Sequence, residues 1–211
     1  MKLSMRDVPN FLTISRIVSV VFFVILATLA DTNYFDNLNH VFWLRLVAYI
    51  LAILAGLTDL LDGWLARKYS FVSDFGALMD PLADKIFVTG TMLIAIEYRL
   101  MPAWIGVAVL GREFMVTGLR TLAAKRQIVI SADRWGKLKT ALQMVMLAIA
   151  GFAWVVDGGT KYLHTANWFG LRIWYIWNTY LWGIVLVTLL SGLGYFIRYR
   201  SVYLSDNSDN K

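Results

Sequence analysis

Six long apolar segments constrain the fold of this chain more than any other feature. A helix needs about 20 apolar residues to cross the hydrocarbon core of a bilayer. The segments that meet this length cover residues 11–30, 44–66, 75–97, 102–122, 135–156 and 173–197. The 211-residue chain is 59% hydrophobic and only 16% charged, which is too apolar for an ordinary soluble domain. We therefore predict an all-α, polytopic membrane protein with six transmembrane helices, forming a single domain over residues 1–200 and followed by a mobile tail at 201–211.

The lysines and arginines predict how these helices are oriented. With the amino terminus in the cytoplasm, sixteen of the twenty basic residues fall on the cytoplasmic side. The opposite side receives only Arg45, Arg99, Lys161 and Arg172. This distribution follows the positive-inside rule. The net charge of +6 therefore indicates loop charges rather than nucleic-acid binding, and both termini are expected to face the cytoplasm.

One stretch, Thr58–Lys85, interrupts the apolar pattern with five of the fourteen acidic residues. Asp59 and Asp62 are three residues apart, and Asp80 and Asp84 are four apart, so each pair shares one face of a helix. Carboxylates at the edge of hydrocarbon need cations, and oxygen ligands favour Mg²⁺, Mn²⁺ or Ca²⁺. The four aspartates are therefore expected to hold two divalent ions against a diphosphate, on the cytoplasmic side. Zinc or thiolate chemistry is not expected, because the chain has no cysteine and both histidines lie outside this stretch.

Small residues and one arginine accompany the aspartates. Gly63 directly follows Asp62, and Gly76 lies shortly before the second pair, so a bulky ligand can approach the backbone closely. Arg67 lies about one helical turn after Asp62 and Gly63 and offers a bidentate fork for a phosphate. Taken singly, the glycines could serve helix packing and Arg67 could be a helix-end charge. The fifth acidic residue, Asp74, could be a loop acid, a helix cap or an outer ligand.

The spacing of these residues resembles the complete signature of the CDP-alcohol phosphatidyltransferases. The matching pattern is Asp59-x2-Asp62-Gly63-x2-Ala66-Arg67-x8-Gly76-x3-Asp80-x3-Asp84. The resemblance implies six transmembrane helices, a homodimer and a cytoplasm-facing site with two divalent ions, Mg²⁺ or Mn²⁺. It also implies transfer of a substituted phosphate from a CDP-linked donor to an alcohol, with release of CMP.

The resemblance also assigns roles to residues. It implies that Asp59, Asp62 and Asp80 are metal ligands and that Asp84 binds the second metal. Asp84 is in addition the candidate catalytic base for the acceptor hydroxyl. The residues that would line the CDP and diphosphate site are Asp62, Gly63, Ala66, Arg67 and Gly76. No serine, histidine or cysteine is arranged as a covalent nucleophile, which favours a single displacement.

Pro81 leaves two interpretations of how the third helix begins. A proline disfavours helix at the preceding residue, so the residues alone suggest that Asp80 is the N-cap and Pro81 the first helical residue. The family resemblance instead implies one helix over Gly76 to Asp84. We expect the continuous helix, with its start between residues 75 and 82.

Other segments indicate the acceptor. VPNFLTISRI, MDPLADK, GREFMVTGLR and WGKLKTALQM, within positions 8–145, resemble the bacterial phosphatidylglycerophosphate synthases, a branch of this family. The branch implies CDP-diacylglycerol as donor and glycerol 3-phosphate as acceptor. A dianionic acceptor needs a cationic pocket. The candidate residues for it are Arg112, Arg120, Lys137 and Lys139. The last two helices show no comparable motif.

The basic candidates also have a plainer interpretation as positive-inside charge. That interpretation suits Lys125 and Arg126 better than Arg112, which lies within an apolar run. Asn10, Thr13 and Arg16 share one face of the first helix and are weaker candidates to line the site.

Competing functions remain open at this stage. A phosphatidylinositol-phosphate synthase would also need a basic pocket, whereas a cardiolipin synthase would accept phosphatidylglycerol and need less of it. Neutral acceptors such as inositol, choline or serine would not require the cluster. A divalent-cation transporter also carries acids at helix breaks, but it would place them near the midplane and in two inverted halves. A structural scaffold does not explain the fixed spacing, and CMP release is expected of neither of these last two.

Overall fold

The computed structural model describes residues 8–31, 34, 35, 37–69, 74–128, 134–158, 167, 168 and 171–204. The helices are α1 Val8–Leu29, α2 Leu38–Tyr69, α3 Asp74–Glu97, α4 Ala103–Lys125, α5 Arg134–Asp157, α6 Ile173–Arg198 and α7 Arg200–Leu204. Two short antiparallel strands, β1 Asn167–Trp168 and β2 Leu171–Arg172, precede α6. In the described chain the regular structure is therefore helical apart from these two strands of two residues each, which confirms the all-α class.

Each apolar segment of the sequence falls on one of the first six helices. Within the described residues, three segments are long and apolar enough to cross a membrane, namely Leu38–Thr58, Leu138–Val156 and Ile173–Arg198. Thr13–Leu29 in α1 is a shorter apolar helix of the same character. These helices make the chain a multi-pass membrane protein.

Helix α6 illustrates how an apolar helix divides its surface between lipid and protein. Trp182, Leu186, Leu189, Leu193 and Ile197 recur every three or four residues and are all exposed. Such a stripe is unfavourable in water but suits a bilayer. The opposite face is buried and includes two polar residues, Thr188 and Ser191. Its buried residues are Trp177, Leu181, Ile184, Val185, Thr188, Ser191, Gly192 and Tyr195.

The chain forms two compact units, the first comprising residues 1–100 and 148–162. Here α1 packs against α2 and α3, and α2 also contacts α3. At the end of α1, the Tyr98 hydroxyl donates to the Ala27 carbonyl at 2.7 Å, and Arg45 Nε donates to the Ala30 carbonyl at 3.1 Å. The Trp154 ring packs on Tyr98. Burial raises the pKa of the Tyr98 hydroxyl, so it stays a protonated donor to this carbonyl in the last turn of α1.

The second unit comprises residues 101–147 and 163–211, and α5 contributes its first part to it. Here α4 packs against α6 and α7. The contact is built on buried Val116, Leu119, Ala123, Tyr195 and Val202. Helix α7 covers residues 200–204 and buries Val202, so the predicted tail begins within a helical segment. The rest of that tail, residues 205–211, lies outside the described residues.

Helix α3 runs without interruption from Asp74 to Glu97 and contains Pro81 in its interior. The alternative in which Asp80 caps the helix is therefore wrong, and the continuous helix is confirmed. Its start lies one residue before the predicted interval of 75–82. A proline inside a helix removes one backbone hydrogen bond, a loss that neighbouring elements of a membrane protein can compensate. Asp74 is the first residue of the helix, where the dipole favours a carboxylate.

Candidate active site

The two aspartate pairs lie on helices of the first unit that contact each other. Asp59 and Asp62 belong to α2, and Asp80 and Asp84 belong to α3. The Asp84 side chain is exposed, whereas the other three side chains lie outside the described part of the structure. Within the described residues no three acidic or histidine side chains form a metal cluster. The predicted metal coordination therefore stays a prediction.

A glycine shows where α2 and α3 approach each other. A Cβ atom added to Gly56 would lie 3.5 Å from Cζ of Phe87, so the Phe87 ring packs against the α2 backbone there. Asp59 comes three residues after Gly56, and Asp84 comes three residues before Phe87. Both aspartates are thus one helical turn from the contact, on the side of the short connection at residues 70–73. This backbone placement suits a shared ion bound between oxygen ligands from both helices.

The remaining predicted residues of the acidic region are placed only by their backbone. Gly63, Ala66 and Arg67 follow in α2, and Gly76 lies in the first turn of α3. Their side-chain surroundings lie outside the described residues, so the predicted CDP site stays a prediction.

Helix α1 contributes buried polar residues to the same unit. Thr13 and Arg16 are almost fully buried, at 1% and 2% exposure. The side chain of Asn10 lies outside the described residues. An arginine buried within an apolar helix is costly, so Arg16 retains its place as a candidate for the site.

The second unit brings two predicted acceptor residues to one tyrosine. Arg112 is buried in α4, and its Nη2 donates to Oγ of Ser191 at 2.7 Å. Its guanidinium carbon lies 5.7 Å from the ring centroid of Tyr195. Arg120 is exposed, and its Nη2 donates to the Tyr195 hydroxyl at 2.9 Å, with its guanidinium carbon 5.4 Å from the same centroid. We call Arg112, Arg120, Ser191 and Tyr195 the basic corner.

The other two predicted acceptor residues are in α5. Lys139 is 1% exposed and forms an ion pair with Glu113, the neighbour of Arg112. Glu113 also lies 3.7 Å from Nη1 of Arg112. The side chain of Lys137 lies outside the described residues. Because one carboxylate meets two cations, and Arg120 adds a third, the group keeps a net positive charge.

Sequence reasoning missed the contribution of α6. Ser191 and Tyr195 are four residues apart on its buried face, and neither belongs to a recognised motif. The available signal was a serine in an apolar helix, which in a membrane marks a helix contact or a polar partner. That signal does not identify which residue of another helix is the partner.

The acidic signature of α2 and α3 predicts a membrane-embedded class of enzyme that acts on a diphosphate held by metal ions. Residues 6–190 match the model of the CDP-alcohol phosphatidyltransferase family. The chain belongs to this family.

Three bacterial relatives illustrate the similarity. All three bear the name CDP-diacylglycerol–glycerol-3-phosphate 3-phosphatidyltransferase. The Bacillus subtilis protein is 33% identical over 194 residues, covering 91% of this chain and 94% of the relative. The Mycoplasma pneumoniae protein is 31% identical over 211 residues, covering 94% and 88%. The Haemophilus influenzae protein is 35% identical over 153 residues, covering 70% and 76%.

Proposed function

We propose that the protein transfers the phosphatidyl group from CDP-diacylglycerol to glycerol 3-phosphate and releases CMP. Family membership supports the reaction, and the names of the relatives support both substrates. The structural observation that carries the acceptor assignment is the basic corner. There, hydroxyl groups hold Arg112 and Arg120, and the one carboxylate beside Arg112 is shared with Lys139, so a net positive charge remains for a phosphate.

The donor substrate, CDP-diacylglycerol, is proposed to bind at the acidic region of α2 and α3. Asp59, Asp62, Asp80 and Asp84 would hold two divalent ions, Mg²⁺ or Mn²⁺, as oxygen-only ligands. When bound, these ions supply positive charge against the diphosphate and the departing CMP. The small residues of the signature leave the backbone open to the nucleotide, and Arg67 offers its guanidinium to a phosphate. The nucleotide-lining residues are Asp62, Gly63, Ala66, Arg67 and Gly76.

The chemical step is proposed to be a single displacement. Asp84 takes the proton from the C1 hydroxyl of glycerol 3-phosphate, and its exposed side chain is accessible for this role. The hydroxyl oxygen forms a bond to the phosphorus that carries diacylglycerol, the bond from that phosphorus to CMP breaks, and CMP leaves with the electron pair. The acyl chains remain in lipid during the reaction.

The acceptor phosphate is proposed to bind Arg112 and Arg120, together with Lys137. Lys139 contributes through its ion pair with Glu113 rather than as a separate charge. Most of the attraction for the acceptor therefore comes from the two arginines. Asn10, Thr13 and Arg16 of α1 are the weaker site-lining candidates.

We extend the proposal to the assembly. All six long helices span the cytoplasmic membrane and residues 1–200 act as one catalytic domain, in a homodimer. Both termini and the active site face the cytoplasm. The distribution of lysine and arginine supports this orientation.

The test uses purified protein in detergent with Mg²⁺ and CDP-diacylglycerol. Glycerol 3-phosphate, phosphatidylglycerol and inositol phosphate are supplied separately, and CMP is measured. We expect release only with glycerol 3-phosphate, and loss of that release in Asp84→Asn. Glu97→Gln, at the opposite end of the same helix, is the matched control and should retain activity. Release with another acceptor alone would overturn the acceptor assignment, and no release with any acceptor would favour a cation transporter.

A further inference from the structure

Tyr195 is the one described side chain of the basic corner that contacts both arginines. Its hydroxyl accepts from Arg120, and its ring lies within cation–π distance of both guanidinium groups. Arg112 and Arg120 are eight residues apart on α4, which separates their Cα atoms by roughly 12 Å along the helix axis. Their charged ends nevertheless meet at one ring. The aromatic face therefore brings together two like charges that would otherwise repel each other.

The partners on α6 hold the arginines without neutralising them. Ser191 and Tyr195 contribute hydroxyl oxygens, which accept hydrogen bonds but carry no charge. The carboxylate of Glu113 pairs more closely with Lys139 than with Arg112, whose Nη1 lies 3.7 Å from it, so Glu113 mainly offsets the charge of Lys139. An arginine held by neutral groups is preorganised and still attracts a dianionic phosphate.

Arg112 retains a donor for such a ligand. Its Nε atom is buried and has no hydrogen-bond partner among the described residues. A buried N–H group without an acceptor is costly, so a phosphate oxygen at this position would be favourable. Gly192 allows the arrangement, because a Cβ atom there would lie 3.0 Å from Cγ of Arg112. The Arg112 side chain thus lies directly against the backbone of α6.

From these contacts we infer that Tyr195, assisted by Ser191 and Gly192, is a positioning residue that holds Arg112 and Arg120 for the phosphate of the acceptor. The inference rests on the proposed function, since it concerns the binding of glycerol 3-phosphate. Tyr195 acts through the arginines and does not take part in proton transfer. Its loss should therefore raise KM for the acceptor while kcat and KM for CDP-diacylglycerol stay near the wild-type values.

The experiment measures both KM values and kcat from CMP release for two substitutions of Tyr195. Tyr195→Phe keeps the ring and removes the hydrogen bond to Arg120, so we expect KM for glycerol 3-phosphate to rise about threefold. Tyr195→Leu also removes the ring, so we expect a rise of about tenfold to thirtyfold. The smaller effect of Phe is the partial rescue that a ring-mediated role requires.

Tyr199 provides the matched control. Its ring stacks on Tyr195 with centroids 6.2 Å apart, on the same helix end, and no cation–π contact joins it to either arginine among the described residues. Tyr199→Phe and Tyr199→Leu disturb the same packing and should leave KM for the acceptor unchanged. If Tyr199→Leu raised that KM as much as Tyr195→Leu, the effect would be general packing and the inference would fail.

A double substitution tests whether Tyr195 acts through Arg120. In an Arg120→Gln background, Tyr195→Phe should have no further effect on KM, because the hydrogen bond is already gone. Independent, multiplying effects would contradict the inference. If Tyr195→Leu does not fold, the Phe variant and this cycle still decide the matter.

The wild-type measurement separates this inference from the proposed function. If the wild-type protein is active with glycerol 3-phosphate and KM is unchanged in Tyr195→Phe and Tyr195→Leu, the positioning role is refuted and the proposed function is kept. Wild-type activity with only inositol phosphate would overturn the proposed acceptor, and the same variants measured with inositol phosphate would still test Tyr195. Activity with only an acceptor that lacks a phosphate monoester would refute both.

Discussion

The acidic region and the basic corner collect like charges in opposite ways. In α2 and α3 the aspartates are grouped by spacing along each helix, and we expect bound cations to offset their charge. In the second unit the arginines are held by residues 79 and 75 positions away in sequence, through hydroxyl groups and an aromatic ring. We predict that the first region is completed by ions from outside, whereas the second is preorganised by the protein itself.

Removal of divalent ions is the strongest way to expose this difference. Chelation should abolish CMP release, and added Mg²⁺ or Mn²⁺ should restore it, because the few basic residues of the acidic region do not offset four carboxylates together with a diphosphate. Near-ultraviolet circular dichroism before and after chelation is the accompanying measurement, and we expect the folded signal to persist. Full activity in excess chelator would contradict the metal assignment and break the comparison.

Arg112 should give the largest effect within the basic corner. Arg112→Gln removes a buried charge aimed at the acceptor phosphate, so KM for glycerol 3-phosphate should rise about a hundredfold. Lys125→Gln is the control, because Lys125 is an exposed charge at the end of the same helix. Equal effects of the two substitutions would mean that Arg112 contributes only general positive charge and does not bind the acceptor phosphate specifically.

The different origins of the two regions explain what could be predicted from sequence. The aspartate pairs could be predicted because three- and four-residue spacing on a helix is a local property. The partners of Arg112 and Arg120 could not be predicted, because packing between distant segments decides which residues of an apolar helix such as α6 face them. Arg112 itself could be recognised in the sequence as a charge in an apolar run, but its contacts with Ser191 and Gly192 could not.

Pro81 is a position where a local sequence rule gives the wrong prediction. The preference of a residue before proline predicts a helix start at Asp80, whereas α3 begins six residues earlier and continues through the proline. Tertiary packing against α1 and α2 outweighs the local preference here. The resemblance to a family supplied the continuous helix because it carries information about packing that a single local rule lacks.

Glu113 separates stability from acceptor binding in the second unit. Glu113→Gln leaves buried Lys139 without its counter-charge, so the free energy of unfolding should fall by about 1–3 kcal/mol. KM for glycerol 3-phosphate should not rise, since the local potential becomes more positive. Thermal unfolding and CMP kinetics on the same preparation measure both quantities. A raised KM with unchanged stability would mean that Glu113 orients Arg112 rather than offsetting Lys139.

Two glycines on α6 give the finest test, because they differ only in what faces them. A Cβ atom at Gly192 would lie 3.0 Å from Cγ of Arg112, whereas one at Gly194 would meet nothing within 4 Å. Gly192→Ala should therefore shift the guanidinium of Arg112 by a few tenths of an ångström and raise KM for the acceptor about twofold to fivefold. Gly194→Ala should leave KM unchanged, and alanine favours helix equally at both positions. An equal response would mean that α6 affects the acceptor site through its own conformation, whereas a response confined to Gly192 would mean that contact with the α6 backbone fixes where Arg112 can meet a phosphate.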